Sequence, residues 1–144
     1  LRSIPLVEFA PLAEVPGVQL VSLQKNAGVS QLLALEKKFT AADLGSTLDN
    51  AGGAFMDTAA VMCNLDLVIT SDTAAAHLAG GLGVPVWLAL SKVPEWRWML
   101  KRPDNPWYPT MRLFRQSTAG DWTSVFAKIK RELATVAAAR LADR

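Results

Sequence analysis

Short apolar runs alternate with stretches of helical periodicity along this chain, and the alternation carries most of the fold prediction. Leu6, Phe9, Ala10 and Ala13 follow Pro5 at helical spacing, so a helix is expected to open at Pro5 and end at Pro16-Gly17. Residues 18–23, Val-Gln-Leu-Val-Ser-Leu, are short, β-branched and apolar, the pattern of a strand buried in a parallel sheet. A loop at Lys25-Asn26-Ala27-Gly28 leads to a predicted helix over residues 29–37 with Leu32, Leu33 and Leu35 inward. A polar link follows through Asp43 to Asn50 and closes at Gly52-Gly53.

Helical spacing returns over residues 55–64, with Asp57 in the first turn, where it complements the positive end of the helix dipole. Asp66-Leu67-Val68-Ile69-Thr70 is the clearest strand. An alanine-rich helix over residues 73–79 stops at Gly81-Leu82-Gly83, and residues 85–90 supply the next strand, completing a βαβ unit. Residues 91–110 hold three of the five tryptophans and four of the eight prolines, which suits an ordered loop packed by aromatics. A short strand is expected over residues 112–116. Trp122, Val125, Phe126, Ile129, Leu133 and Val136 then mark an amphipathic terminal helix that should pack across the sheet. No repeat or low-complexity linker interrupts the pattern, so the chain reads as one doubly wound α/β domain with a mostly parallel sheet, Rossmann-like and three-layered.

Composition narrows the classes of function. With 144 residues, 51% hydrophobic and 19% charged, the chain can bury one core. Its net charge of +2 comes from 15 basic residues scattered among 13 acidic ones, with no basic stripe, which argues against a nucleic-acid partner. One cysteine, Cys63, and one histidine, His77, cannot assemble a Cys/His zinc site, and no structural metal is expected. Cys63 lies in the apolar run Ala59-Ala60-Val61-Met62-Cys63, where a buried thiol in a reducing, cytoplasmic setting is expected. No apolar run reaches the roughly 18 residues that would span a bilayer.

The stretch from Asp66 to His77 carries the chemistry. A buried strand delivers the chain to a helix N-terminus whose first turn, Thr73-Ala74-Ala75, has small side chains, so its backbone N–H groups can approach an anion such as a diphosphate. The alternative is that Asp72 caps those amides itself and the alanines serve helix–sheet packing. A carboxylate repels a diphosphate, so Asp72 suits a sugar or ribose hydroxyl better. His77 lies one helical turn past Thr73, either facing the same mouth or satisfied within the core. Gln24 and Lys25 follow the strand of residues 18–23, where ligand crevices form in parallel sheets; the alternative for Lys25 is a solvated surface lysine. Trp96, Arg97, Trp98, Lys101, Arg102, Trp107 and Tyr108 either stack a base or sugar or form a satellite core. No Gly-x-Ser-x-Gly elbow, Walker lysine motif or Gly-x-Gly-x-x-Gly turn is present, which removes the usual hydrolase and dehydrogenase readings.

The run from Asp66 through Asp72-Thr-Ala-Ala-Ala-His to Gly83-Val-Pro-Val-Trp resembles the donor-binding domain of heptosyltransferase-like glycosyltransferases of the GT-B fold. Pro94-Glu-Trp-Arg-Trp, Pro106-Trp-Tyr-Pro-Thr-Met-Arg-Leu-Phe-Arg-Gln and Gly120-Asp-Trp look like bacterial tetratricopeptide-repeat proteins that carry such a domain at the C-terminus. The resemblance implies a nucleotide-diphosphate sugar as donor and a domain that is the C-terminal half of a transferase. It places Asp72, Thr73 and Ala74 on the Asp-Thr-Gly segment that binds the diphosphate, with Ala74 where the family has glycine. Arg2 matches a basic residue aimed at the donor phosphates. A strand before Arg2-Ser-Ile-Pro-Leu, an N-terminal acceptor domain holding the catalytic base, and helical repeats upstream are implied as further parts of the protein. Donor binding is therefore expected at Arg2, Gln24, Lys25, Asp72, Thr73, Ala74, Ala75 and His77, with the catalytic base unassigned and no metal or cofactor. The alternative is a non-catalytic scaffold or sensor that retains the fold.

Overall fold

In the computed structural model, which describes residues 3–144, five short strands alternate with four α-helices. In chain order they are a 3-10 segment Leu6–Glu14, β1 (Leu20–Ser22), α1 (Val29–Leu35), β2 (Ala41–Asp43), α2 (Met56–Cys63), β3 (Val68–Ser71), α3 (Ala74–Gly81), β4 (Val86–Leu90), β5 (Met111–Arg115) and α4 (Trp122–Ala142). All strand pairs among the described residues are parallel, so the protein is α/β with a Rossmann-like arrangement of strand, helix and parallel strand. The strands divide into two sheets, β1-β2 and β3-β4-β5, where the pattern predicts one. Each sheet lies in its own compact unit, one built on Asp49–Asp121 and the other on Ile4–Leu48 with Trp122–Arg144.

In the first unit β4 is central, with Val86 in register with Val68 on one side and Met111 on the other. All five of its residues are buried, as a central parallel strand requires. Trp87 packs against Phe114 of β5 at 5.3 Å between ring centroids. The predicted helix after β3 runs on through Gly80 and Gly81 and stops in a Schellman motif, with Gly83 at φ +72, Gly83 N–H on the Gly80 carbonyl and Val84 N–H on that of Ala79. Gly80 stays inside the helix for a packing reason: a Cβ there would lie 2.6 Å from the Tyr108 ring. The start of α2 is fastened by Asp49, whose carboxylate accepts the N–H groups of Asp57 (2.7 Å) and Thr58 (3.2 Å), while Asp57 accepts the Asp49 N–H in return (2.7 Å). Cys63 is exposed, contrary to expectation, because it ends α2 on the outer side while Met62 takes the buried position.

In the second unit the N-terminal segment winds as a 3-10 helix. Pro11 sits inside it, lacks an N–H and disfavours α geometry at Ala10, which explains the tighter winding. Its buried residue, Leu12, and Phe9 serve the packing of α4, with Phe9 4.5 Å from Phe126 between centroids and Lys130 paired to Glu14 at 2.5 Å. The buried face of α4 is Trp122, Val125, Phe126, Ile129 and Leu133; Val136 lies beyond it and is 42% exposed. β1 and β2 pair over three residues each, Leu20 with Ala41 and Ser22 with Asp43, so the predicted polar link opens on a strand. Leu33, predicted inward on α1, is 76% exposed: only one face of a seven-residue helix can be covered, and Leu32 and Leu35 occupy it. Among the described residues no helix is long and apolar enough to cross a membrane.

Candidate functional site at the carboxyl edge of the three-stranded sheet

Because β3, β4 and β5 are parallel, their carboxyl ends share one edge. Ser71 is in register with Ala89, and Ala89 with Phe114, so Arg115 lies one residue beyond the level of Ser71, two strand spacings or about 10 Å across the sheet. At this edge β3 passes through Asp72 and Thr73 into α3. Thr73 occupies the N-cap in extended conformation, and its side chain makes no capping hydrogen bond; its hydroxyl donates to the Ser71 carbonyl at 3.4 Å. Asp72 is half-buried, Thr73 and Ala74 are exposed, and Ala75 is half-buried. The first turn of α3 therefore reaches solvent at Thr73 and Ala74 and carries only small side chains through Ala76.

One turn further on, His77 is half-buried, with Nδ1 3.0 Å from the Tyr108 hydroxyl and its ring stacked on Trp98 at 5.1 Å and 27°. It is thus the satisfied histidine of the two readings, and it also lines a cleft. Trp98, wholly buried, links this helix to Arg115, whose Nη2 donates to the Trp98 carbonyl.

Arg115 is the residue that sequence reasoning missed. Its Nε and Nη1 atoms are buried with no hydrogen-bond partner among the described residues, and the buried indole Nε1 of Trp98 is likewise unpartnered. Burial pushes the Arg115 guanidinium below its ordinary pKa, and no carboxylate among the described residues offsets that desolvation. Buried donors without acceptors are costly, and an anion at this edge would satisfy several at once. The available signal was a basic residue one position before the end of the strand predicted over residues 112–116, at the carboxyl side of a parallel sheet.

Gln24 and Lys25 belong to the second unit, after β1. The Gln24 side-chain amide donates to the carbonyls of Ala27 (2.7 Å) and Lys25 (3.3 Å), and the Lys25 ammonium donates to the Leu48 carbonyl. Both side chains hold their own loop, which turns through Asn26 at φ +58 and Gly28 at φ +95. Gly45 closes against them, since a Cβ there would collide with the Gln24 carbonyl. Arg2 lies outside the described residues. The structure thus brings Asp72, Thr73, Ala74, Ala75 and His77 together on one turn and helix, and Gln24 and Lys25 on a separate loop. Among the described residues no group of three or more His, Cys, Asp or Glu is placed to hold a metal ion.

The chain is 29% identical over 141 residues to protein FlbA of Caulobacter vibrioides, an alignment covering 93% of this chain and 22% of that protein. The chain thus spans about a fifth of the length of the curated relative it matches. No family model and no solved structure matches it.

Proposed function

We propose that this chain binds a nucleotide-diphosphate sugar as the donor-binding half of a GT-B glycosyltransferase, which transfers the sugar to a glycan or protein acceptor. The observation that carries the reading is the occurrence, at one sheet edge, of a helix start with small side chains at Thr73-Ala74-Ala75 and of Arg115, whose buried Nε and Nη1 have no acceptor among the described residues. A diphosphate supplies acceptors for both: backbone N–H groups meet it at the helix start, and the guanidinium fork meets phosphate oxygens bidentately. In transfer these donors stabilise the negative charge that builds on the departing diphosphate. Asp72, with its own negative charge, serves hydroxyls of ribose or sugar. Arg2 keeps the phosphate role that the resemblance gives it.

Calorimetric titration of UDP, GDP, ADP and their sugars into the chain tests the proposal. At least one diphosphate is expected to bind, Arg115→Met to weaken it strongly, and Asp72→Ala to weaken the nucleotide sugar more than the free diphosphate. No binding by any of them at millimolar concentration would overturn the donor reading and favour a non-catalytic scaffold.

A further inference from the structure

Packing does not account for two of the three tryptophans of the loop between β4 and β5. Trp98 is buried, but Trp96 and Trp107 remain 73% and 62% exposed, although an indole carries one of the largest apolar surfaces a protein can bury. The two are not scattered. With His77, Arg97 and Tyr108 they line a single cleft of about 230 Å³.

The cleft is held in shape from beneath. The Tyr108 ring rests on Gly80, where any side chain would intrude, and its hydroxyl is tied to His77 at 3.0 Å. Buried Asn105 accepts the N–H groups of Trp107 (2.8 Å) and Tyr108 (3.2 Å) and donates to the Arg97 carbonyl (3.2 Å), so one side chain fixes both walls. Arg97 lies 5.4 Å from the centre of the Trp96 ring and is paired with Glu95, which orients the guanidinium and offsets its charge. A site whose walls are already ordered binds without a large entropic cost.

Size, chemistry and position select the occupant. The volume falls below the ~300–1,000 Å³ of pockets for drug-sized ligands, a size that suits a single substituted ring. The polar groups at the rim include a hydroxyl and an imidazole, each able to donate or accept, which suits sugar hydroxyls of either orientation. His77 is four residues past Thr73, about 6 Å along the helix axis. In a nucleotide sugar the transferred sugar is bonded directly to the diphosphate, whereas ribose separates the base from it.

We infer that this cleft is a saccharide subsite, in which one pyranose stacks its C–H face on Trp96 and Trp107 while Arg97, His77 and Tyr108 meet its hydroxyls. The identification of that ring as the donor's sugar rests on the proposed function. The test uses the indole N–H signals of ¹⁵N-labelled protein, assigned with Trp96→Phe and Trp107→Phe. Methyl glucoside, galactoside, N-acetylglucosaminide and glucuronide are titrated, then uridine, guanosine and UDP. At least one glycoside shifts both indole signals, neither nucleoside does, and Trp107→Ala weakens the glycoside at least roughly tenfold with little change in melting temperature, as expected for an exposed stacking residue. The subsite is overturned if every glycoside leaves the indoles unmoved, if the nucleosides move them, or if Trp107→Ala binds glycoside as the parent does. UDP reports separately: failure to shift the Thr73, Ala74 and Ala75 amides sinks the donor reading and leaves the glycoside result to stand or fall alone.

Discussion

The carboxyl ends of β1 and β3 both lead through a short turn into a helix, and their polar groups are used in opposite ways. After β1, Gln24 and Lys25 donate to carbonyls of their own unit, Gly45 packs against the Gln24 backbone, and the loop is closed by its own side chains. After β3, Thr73 turns its hydroxyl back to Ser71, three alanines follow, and Thr73 and Ala74 remain exposed at the helix start. At the same sheet edge Arg115 carries buried N–H groups with no acceptor. A lysine beside a strand end looks like the better ligand in sequence; where each donor already points decides the matter in the structure.

The contrast breaks most visibly at Gly45. Gly45→Ala forces a methyl group into the Gln24 carbonyl, and because backbone cannot yield as a flexible side chain does, the cost should be about 3 kcal/mol in chemical denaturation. A variant as stable as the parent would mean that the β1 edge is not closed. Next in size is Arg115→Met, which should cost about 2 kcal/mol of diphosphate affinity, roughly 30-fold, by removing hydrogen bonds to a charged ligand. Folding stability should change little, because the loss of two buried donors without acceptors offsets the loss of the bond to the Trp98 carbonyl. A loss of stability with unchanged affinity would make Arg115 structural.

Smaller effects sharpen the comparison. The α2 start shows what a capped helix looks like here, and Asp49→Ala should lower stability by about 1.5 kcal/mol, read from the denaturation midpoint. Thr73→Ala, which removes no capping bond, should cost α3 far less; equal losses would erase the distinction between the two helix starts. Lys25→Met should cost about 1 kcal/mol of stability through the lost bond to Leu48, with diphosphate affinity unchanged within about twofold. A tenfold weakening would move the site to the β1 edge.

The legible parts of the molecule were those where burial and pattern agree. β4 and α4 stand out because a fully buried strand needs a continuous apolar run and a one-sided helix needs apolar residues three and four apart, and β3 because its β-branched run Val68-Ile69-Thr70 suits a strand although only Val68 is buried. β2 was hidden because Ala41-Ala42-Asp43 has neither β-branching nor alternation and owes its conformation to pairing with β1. The 3-10 winding at the N-terminus followed from Pro11, whose missing N–H outweighs the helical spacing around it. At the site, the β3–α3 turn was readable from its small residues and its place after a strand. Arg115 was not, since which of its donors are buried without an acceptor depends on neighbours distant in sequence, and Trp98 lies 17 positions away. The loop of residues 91–110 was readable as aromatic-packed, but which tryptophans face solvent depended on Asn105 and Gly80, two contacts that leave no periodic trace.

The central claim is that the β3 edge, and not the β1 edge, receives the diphosphate. Backbone amide shifts of ¹⁵N-labelled protein titrated with UDP, GDP and ADP test it most directly. The account predicts that the diphosphate that binds shifts Thr73, Ala74 and Ala75 together with the Arg115 side-chain Nε–H signal, while the amides of Gln24, Lys25 and Gly28 stay in place. Shifts confined to Gln24, Lys25 and Gly28, or none at either edge, would contradict it.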